Sequence, residues 1–179
     1  SLQSGCDETL KRMNRHYTTA LYLEKCGILR QYFDRPALTT DVIVGFPGET
    51  EEEFAQTERF LETVHFSDMH IFKYSKRRGT KAADMPNQID PQIQSVRSEK
   101  LIALGERMKD DFLEACKDQE QIVLIEEETE IDGTKYMTGH SKNYIRCAFE
   151  MDGLVPNMVI KGTINSKLNE EFVFCKRID

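Results

Sequence analysis

Residues 41–54, DVIVGFPGETEEEF, leave the backbone few choices. Asp41 to Val44 end an extended run, ALTTDVIV, rich in β-branched residues and suited to a buried strand. Gly45-Phe46-Pro47-Gly48 stops it with a stiff, closely approachable turn. Thr50 and Glu53 then match the S/T-x-x-E capping box, and Glu51, Glu52 and Glu53 put negative charge at the positive end of the helix dipole. A strand that feeds directly into a helix reaches its next strand by a crossover, which predicts parallel pairing. In folds of that kind ligands meet the loops at the carboxyl ends of the strands. The Gly45–Gly48 corner is therefore a candidate site, although the same pattern also suits a tight turn into a capped helix that holds no ligand.

From Asp7 to about Cys116 the chain continues this alternation. DETLKRMNRHY predicts a helix with Asp7 as cap or first-turn acid and Leu10, Met13 and Tyr17 on one face. TTALYLEKCGILRQYF predicts a second helix, capped by Thr18 or Thr19 and interrupted in character by Gly27, with Leu21, Ile28, Leu29 and Tyr32 among its apolar positions. Phe54, Leu61 and Val64 share a face of the helix after the glycine corner, and MHIFKYS predicts the next strand. A long helix follows, with Ile93, Val96, Leu101, Leu104, Met108 and Phe112 at helical spacing. After Lys117 the pattern changes to QIVLIEEET, TKYMTGHS, NYIRCAFE, MVIKGTIN and EEFVFCKRI, divided by Asp132-Gly133, Asp152-Gly153 and Leu168-Asn169. Such β-rich stretches with turns between them predict a small barrel or sandwich. The expected organisation is α/β followed by all-β, with domains 1–116 and 117–179.

Composition narrows the function classes. The 179 residues carry a net charge of −7, which argues against a generally basic nucleic-acid binder and leaves room for a local patch. No apolar run reaches the roughly 18 residues of a membrane helix, and the amino terminus has no signal-peptide pattern. The chain opens on Ser1, so a cut point in a longer protein is expected there. Cys6, Cys26, Cys116, Cys147 and Cys175 show no C-x2-C or C-x3-C spacing, which predicts no metal site and a reduced, cytoplasmic set of small core residues.

Two more loops are candidates for the same rim. In LQSGCDETL, Leu2 and Gln3 end a short strand and Ser4-Gly5 turn into a helix. In YSKRRGTKAADM and the strand before it, Lys73, Lys76, Arg77, Arg78 and Lys81 gather five cations within nine positions, a patch suited to phosphate or carboxylate or simply a solvated loop.

Together, LQSGCDETLKRMNRHYTT, TTDVIVGFPGETEEEF and YSKRRGTKAADMPNQI resemble the radical S-adenosylmethionine methylthiotransferases. Cys6 after Gln-Ser-Gly, the MNRHYT stretch and Thr39-Thr40 bring the chain nearest the branch that methylthiolates threonylcarbamoyladenosine beside the tRNA anticodon. Relatives acting on isopentenyladenosine or on a ribosomal-protein aspartate share the layout. The resemblance covers essentially the whole chain, and the β-rich tail resembles the family's TRAM domain, a small RNA-binding barrel.

The resemblance implies the carboxyl-terminal part of a radical SAM (β/α) barrel followed by a TRAM barrel. It implies S-adenosylmethionine and two 4Fe–4S clusters as cofactors of the full-length enzyme, with neither expected on this piece. The C-x3-C-x2-C cluster loop of the family is missing here and would lie upstream, so no catalytic residue and no metal ligand is assigned, and the piece is expected to be inactive alone. By resemblance Gln3, Ser4 and Gly5 lie on the adenosylmethionine side, Arg15 pairs with the methionine carboxylate, Ile43 and Gly45 pack beside the adenine, and Tyr74 and Ser75 present backbone groups to its edge. For RNA, whose recognition combines cations with stacking aromatics, the candidates are Lys76, Arg77, Arg78, His140, Lys142, Tyr144, Arg146 and Lys161. The acids Asp118, Glu120, Glu126, Glu127, Glu128, Glu130 and Asp132 are expected to turn RNA to the opposite side of the tail. Expected partners are the tRNA anticodon stem-loop and the remainder of the same protein, with self-association through exposed barrel edges. A non-catalytic RNA-binding module is the reading of a different class.

Overall fold

A computed structural model describes residues 1–178 and divides the chain at Asp111/Phe112 into two compact units. The first unit contains α1 (Asp7–Arg12), α2 (Thr19–Tyr32), β1 (Thr39–Val44), α3 (Glu51–Val64), β2 (Asp68–Lys73), the short α4 (Lys81–Asp84) and most of α5 (Pro91–Ala115). β1 and β2 pair in parallel from Thr39↔Asp68 to Val44↔Lys73, and Gln3 adds a parallel bridge to Val42 on the other side of β1. Alternation along β1 gives the sheet two unlike faces. Val42 and Val44 are buried among Leu2, Phe54, Leu61, Val64, Phe66, Leu101, Leu104 and Met108, with Met69 and Ile71 of β2 against the same cluster. Asp41, Ile43, His70 and Phe72 stand on the opposite face, where Phe72 is 52% exposed.

The capping box forms as the sequence predicts: Thr50 accepts from the Glu53 backbone, and the Glu53 carboxylate accepts from Thr50 N–H. Elsewhere tertiary demands override periodicity. α1 stops at Arg12 because Asn14 adopts φ 58°, with Asn14 N–H bonded to Lys11 O and Arg15 N–H to Leu10 O, a Schellman closure. Tyr17 therefore leaves the expected helix face and donates its hydroxyl to the Leu2 carbonyl. On α2 the apolar positions Leu21, Ile28, Leu29 and Tyr32 are exposed, and only Cys26 is buried. On α5, Ile93 and Val96 are also exposed, and the buried stripe is Arg97, Ser98, Leu101, Leu104 and Met108.

The second unit begins at Phe112, in the last turns of α5, where Phe112, Leu113 and Cys116 pack on the barrel core. Its strands are β3 (Glu120–Ile131), β4 (Thr134–Ser141), β5 (Arg146–Phe149), β6 (Val159–Lys167) and β7 (Val173–Ile178), closed in the order β3-β4-β5-β7-β6. Closure depends on β3, which pairs with β6 through its first half and with β4 through its second, bending at a bulge between Ile125 and Glu127. The β3–β4 hairpin turns on Asp132 and Gly133, both at positive φ. Val123, Ile125, Met137, Cys147, Phe149, Ile160, Ile164, Val173 and Cys175 fill the interior. All five cysteines of the chain are free and buried. No helix among the described residues is long and apolar enough to cross a membrane.

Candidate functional site

Parallel pairing decides where the three corners lie. Gln3 N–H bonds Asp41 O, Ile43 N–H bonds Gln3 O, and Tyr74 N–H bonds Val44 O, so Ser4-Gly5, Gly45–Gly48 and Tyr74-Ser75 follow three adjacent parallel segments at one end of the sheet. At this end, on the bare face, a groove of about 540 Å³ is lined by Gln3, Asp41, Ile43, Phe46, Phe72, Lys73, Tyr74, Ser75, Arg77, Thr80 and Ala82. Its size falls within the roughly 300–1,000 Å³ of small-molecule sites, and its walls combine aromatic and aliphatic groups with a few polar ones. Two of its features carry unresolved cost. Gln3 sits at φ 70°, an uncommon left-handed conformation for a residue with a side chain. The Tyr74 hydroxyl is buried without a hydrogen-bond partner, while its ring meets Phe46 edge-on at 5.3 Å.

The turn between β1 and α3 is held from behind by side chains that the motif alone does not reveal. Gly45, at φ 70°, donates its N–H to the Glu49 carboxylate at 3.0 Å, and its carbonyl accepts from Gln94 Nε2 at 3.2 Å. Arg97 Nη1 reaches both the Glu49 carboxylate, at 2.7 Å, and the Glu49 carbonyl, while Nη2 reaches Glu51. The pair is buried, with side chains 7% and 3% exposed for Arg97 and Glu49. Burial pushes the Glu49 carboxyl above the ordinary range against the pull of the Gly45 N–H and Arg97. A second brace joins α1 to the cap of α3. Arg12 makes a bidentate contact with Glu53, which lowers the Glu53 carboxyl and raises the guanidinium.

The expected ligand residues separate into two groups. Gln3, Ile43, Tyr74 and Ser75 line the groove, and Gly45 forms the turn beside it. Ser4 does not face it: the side chain is fully buried and its hydroxyl is shared with Thr57 Oγ1 of α3 and with Cys6 N–H. Gly5 likewise gives its N–H to Thr57. The side chain expected at Ser4 is drawn away because its segment must satisfy polar groups against α3. Arg15 is exposed at the end of the Schellman turn and is not part of the groove wall. Sequence reasoning missed Glu49, Arg97, Gln94 and Arg12. A usable signal was present for Arg97, since an arginine occupies the stripe of Leu101, Leu104 and Met108 at helical spacing.

The cations differ in their surroundings. Lys76, Arg77, Arg78 and Lys81 are exposed beside the groove and have no acidic partner among the described residues, and Lys73 touches only the Ser95 hydroxyl. In the barrel unit several RNA candidates are already paired. His140 meets Glu126 at 2.7 Å, and Lys161 meets Glu120 at 2.9 Å. These two therefore lie beside the acidic strand, in registers Leu124↔His140 and Ile122↔Lys161, and not on the far side from it. Arg146 pairs with Glu171 and stacks over Phe172 at 4.3 Å. Tyr144, 83% exposed at φ 59°, and Lys142 beside it are the freely presented members of that set.

A second hollow of about 610 Å³ lies at the amino ends of the strands, among Ser1, Tyr17, Leu21, Tyr22, Leu29, Leu38 and Phe66. It is largely apolar and carries none of the strand-end corners. Among the described residues no group of three or more His, Cys, Asp and Glu side chains is placed to hold a metal ion.

Residues 1–61, which contain the first two corners, match the model of the radical SAM superfamily. The chain is 38% identical over 151 residues to the threonylcarbamoyladenosine tRNA methylthiotransferase MtaB of Bacillus subtilis (strain 168), an alignment covering 83% of the chain and 33% of the relative. It is 46% identical over 107 residues to a tRNA-2-methylthio-N(6)-dimethylallyladenosine synthase of Caldicellulosiruptor saccharolyticus, covering 60% of the chain and 23% of the relative. Against the enzyme of that name from Corynebacterium efficiens it is 36% identical over 169 residues, covering 93% and 30%. The chain thus spans about a third or less of the length of the curated relatives it matches. Over these spans the chain is similar to the carboxyl-terminal part of the radical SAM tRNA methylthiotransferases.

Proposed function

We propose that this chain forms the S-adenosylmethionine wall and part of the RNA surface of an enzyme that adds a methylthio group to C2 of N6-threonylcarbamoyladenosine beside the anticodon. The observation that carries this reading is the groove at the strand ends, where Gln3, Ile43, Tyr74 and Ser75 converge next to the unpaired cations of residues 76–81. S-adenosylmethionine, when bound, supplies the methyl group and the adenosyl fragment for the reaction. The chain's own contribution is to bind, orient and exclude water: Ile43, Phe46 and Phe72 offer apolar walls, Tyr74 and Ser75 polar groups, and Gln3 a strained anchor on the rim. The clusters belong to parts of the enzyme outside these residues. The five-stranded barrel is the proposed TRAM-like module, with Lys142, Tyr144, Arg146 and Phe172 as its RNA-facing group.

Phosphate contacts by Lys76, Arg77, Arg78 and Lys81 give steering toward the groove that weakens with salt. A second reading, with isopentenyladenosine as the target, is favoured by the relatives named as dimethylallyladenosine synthases, which match at up to 46% identity over shorter spans. Mass spectrometry of tRNA nucleosides from cells lacking the gene separates the two. The expected result is loss of the methylthio group from N6-threonylcarbamoyladenosine with methylthiolated isopentenyladenosine unchanged. The reverse pattern overturns the proposed substrate, and no change in either overturns the tRNA reading.

A further inference from the structure

The bare face of the sheet carries a charged pair that the adenosylmethionine reading does not use. His70 and Asp41 are direct neighbours across β1 and β2, and the pleat puts both on the face of Ile43 and Phe72. His70 Nδ1 lies 3.3 Å from Asp41 Oδ1, and Asp41 Oδ2 is bound by the Ser1 hydroxyl. The imidazole leans on Phe72, with ring centroids 6.5 Å apart, and its side chain is 70% exposed. Asp41 and Phe72 both line the groove.

A carboxylate on one ring nitrogen fixes the orientation of an imidazole and leaves the other nitrogen for a ligand. Here Asp41 takes Nδ1–H, so Nε2 is presented to the open face. An apolar substituent placed here meets a hydrogen-bonding pair that it cannot satisfy. A substituent with N–H and hydroxyl donors meets an acceptor at Nε2, and any carboxylate it carries meets Lys73 and Arg77 on the neighbouring groove.

We propose that His70, positioned by Asp41, is a specificity residue that recognises the polar N6 substituent of the target adenosine by accepting a hydrogen bond from it, and so selects a hydrogen-bonding group over a hydrocarbon one. This rests on the function proposed above and adds to it the group that reads the substrate. Asp41 acts through His70 and is a positioning residue.

The test is fluorescence anisotropy of the enzyme with anticodon stem-loops of one sequence, carrying N6-threonylcarbamoyladenosine, N6-isopentenyladenosine or adenosine at the target position. Wild type is expected to bind the threonylcarbamoyl loop about tenfold more tightly than the adenosine loop, the scale of one hydrogen bond. His70→Phe, at an exposed position that the fold does not need, is expected to abolish that preference while leaving affinity for the adenosine loop unchanged. His70→Gln, which keeps an acceptor, is expected to retain part of it, and Asp41→Asn to lose several-fold. A His70→Phe enzyme that keeps the full preference overturns the inference and leaves the proposed function standing. Wild type that prefers the isopentenyl loop overturns the inference together with the proposed substrate. Wild type that binds none of the loops overturns both together with the tRNA partner.

Discussion

Arg97→Ala is expected to destabilise the first unit by about 3–5 kcal/mol, the range for breaking one partner out of a buried ion pair. The size follows from what is left behind. Glu49 stays buried with its carboxylate still facing Gly45 N–H, while its strongest charge partner is gone and its backbone carbonyl has lost a donor. The sign with pH is defined. Burial already raises the Glu49 carboxyl in the intact protein, so the fold holds that proton more tightly than the unfolded chain does. Its effect on stability is least costly below the ordinary carboxylate range and becomes unfavourable as pH rises through the raised value. Without Arg97 that cost grows at neutral pH and disappears when Glu49 is protonated. Urea unfolding should therefore show a larger gap between Arg97→Ala and wild type at pH 7 than at pH 4. A loss below about 1 kcal/mol, or an equal loss at both pH values, contradicts the role given to this pair.

Gly139→Ala is expected to cost the barrel about 3 kcal/mol or more, at the upper end of overpacking penalties. A Cβ built on Gly139 falls 1.8 Å from Leu124 O, with Leu124 C at 2.8 Å and Ile125 Cα at 3.0 Å. All three neighbours are backbone, so no side-chain rotation relieves the clash. The position lies next to the bulge where β3 turns from its pairing with β4 towards β6, so the strands must separate at the point of closure. Thermal unfolding of the barrel followed by circular dichroism checks this. An unchanged midpoint would mean that β3 and β4 are not this close.

Local chemistry made part of this architecture legible. The capping box at Thr50 and Glu53, the parallel pairing of β1 with β2, and the β-rich stretches of the tail all follow from short-range rules about caps, crossovers and turns. What was illegible depended on partners distant in sequence. Ser4 is a ligand-side residue by resemblance, and only the nearness of Thr57, 53 positions away, turns its hydroxyl into the core. His140 and Lys161 have the composition of an RNA surface, and only the strand register sets them against Glu126 and Glu120. Ile93 and Val96 keep helical spacing with Leu101, yet the buried stripe is entered through Arg97, because the turn before α3 needs a cation behind it. The Asp41–His70 pair is likewise a product of register, its members 29 positions apart.

The most direct test of the central claim, that adenosylmethionine is bound where three parallel strand ends meet, is hydrogen–deuterium exchange of the cluster-loaded enzyme with and without S-adenosylmethionine. The account predicts new protection at residues 3–6, 43–48 and 72–77, around the groove lined by Gln3, Ile43, Tyr74 and Ser75. Protection confined instead to the hollow at the amino ends of the strands, around Tyr22, Leu29 and Leu38, would contradict it.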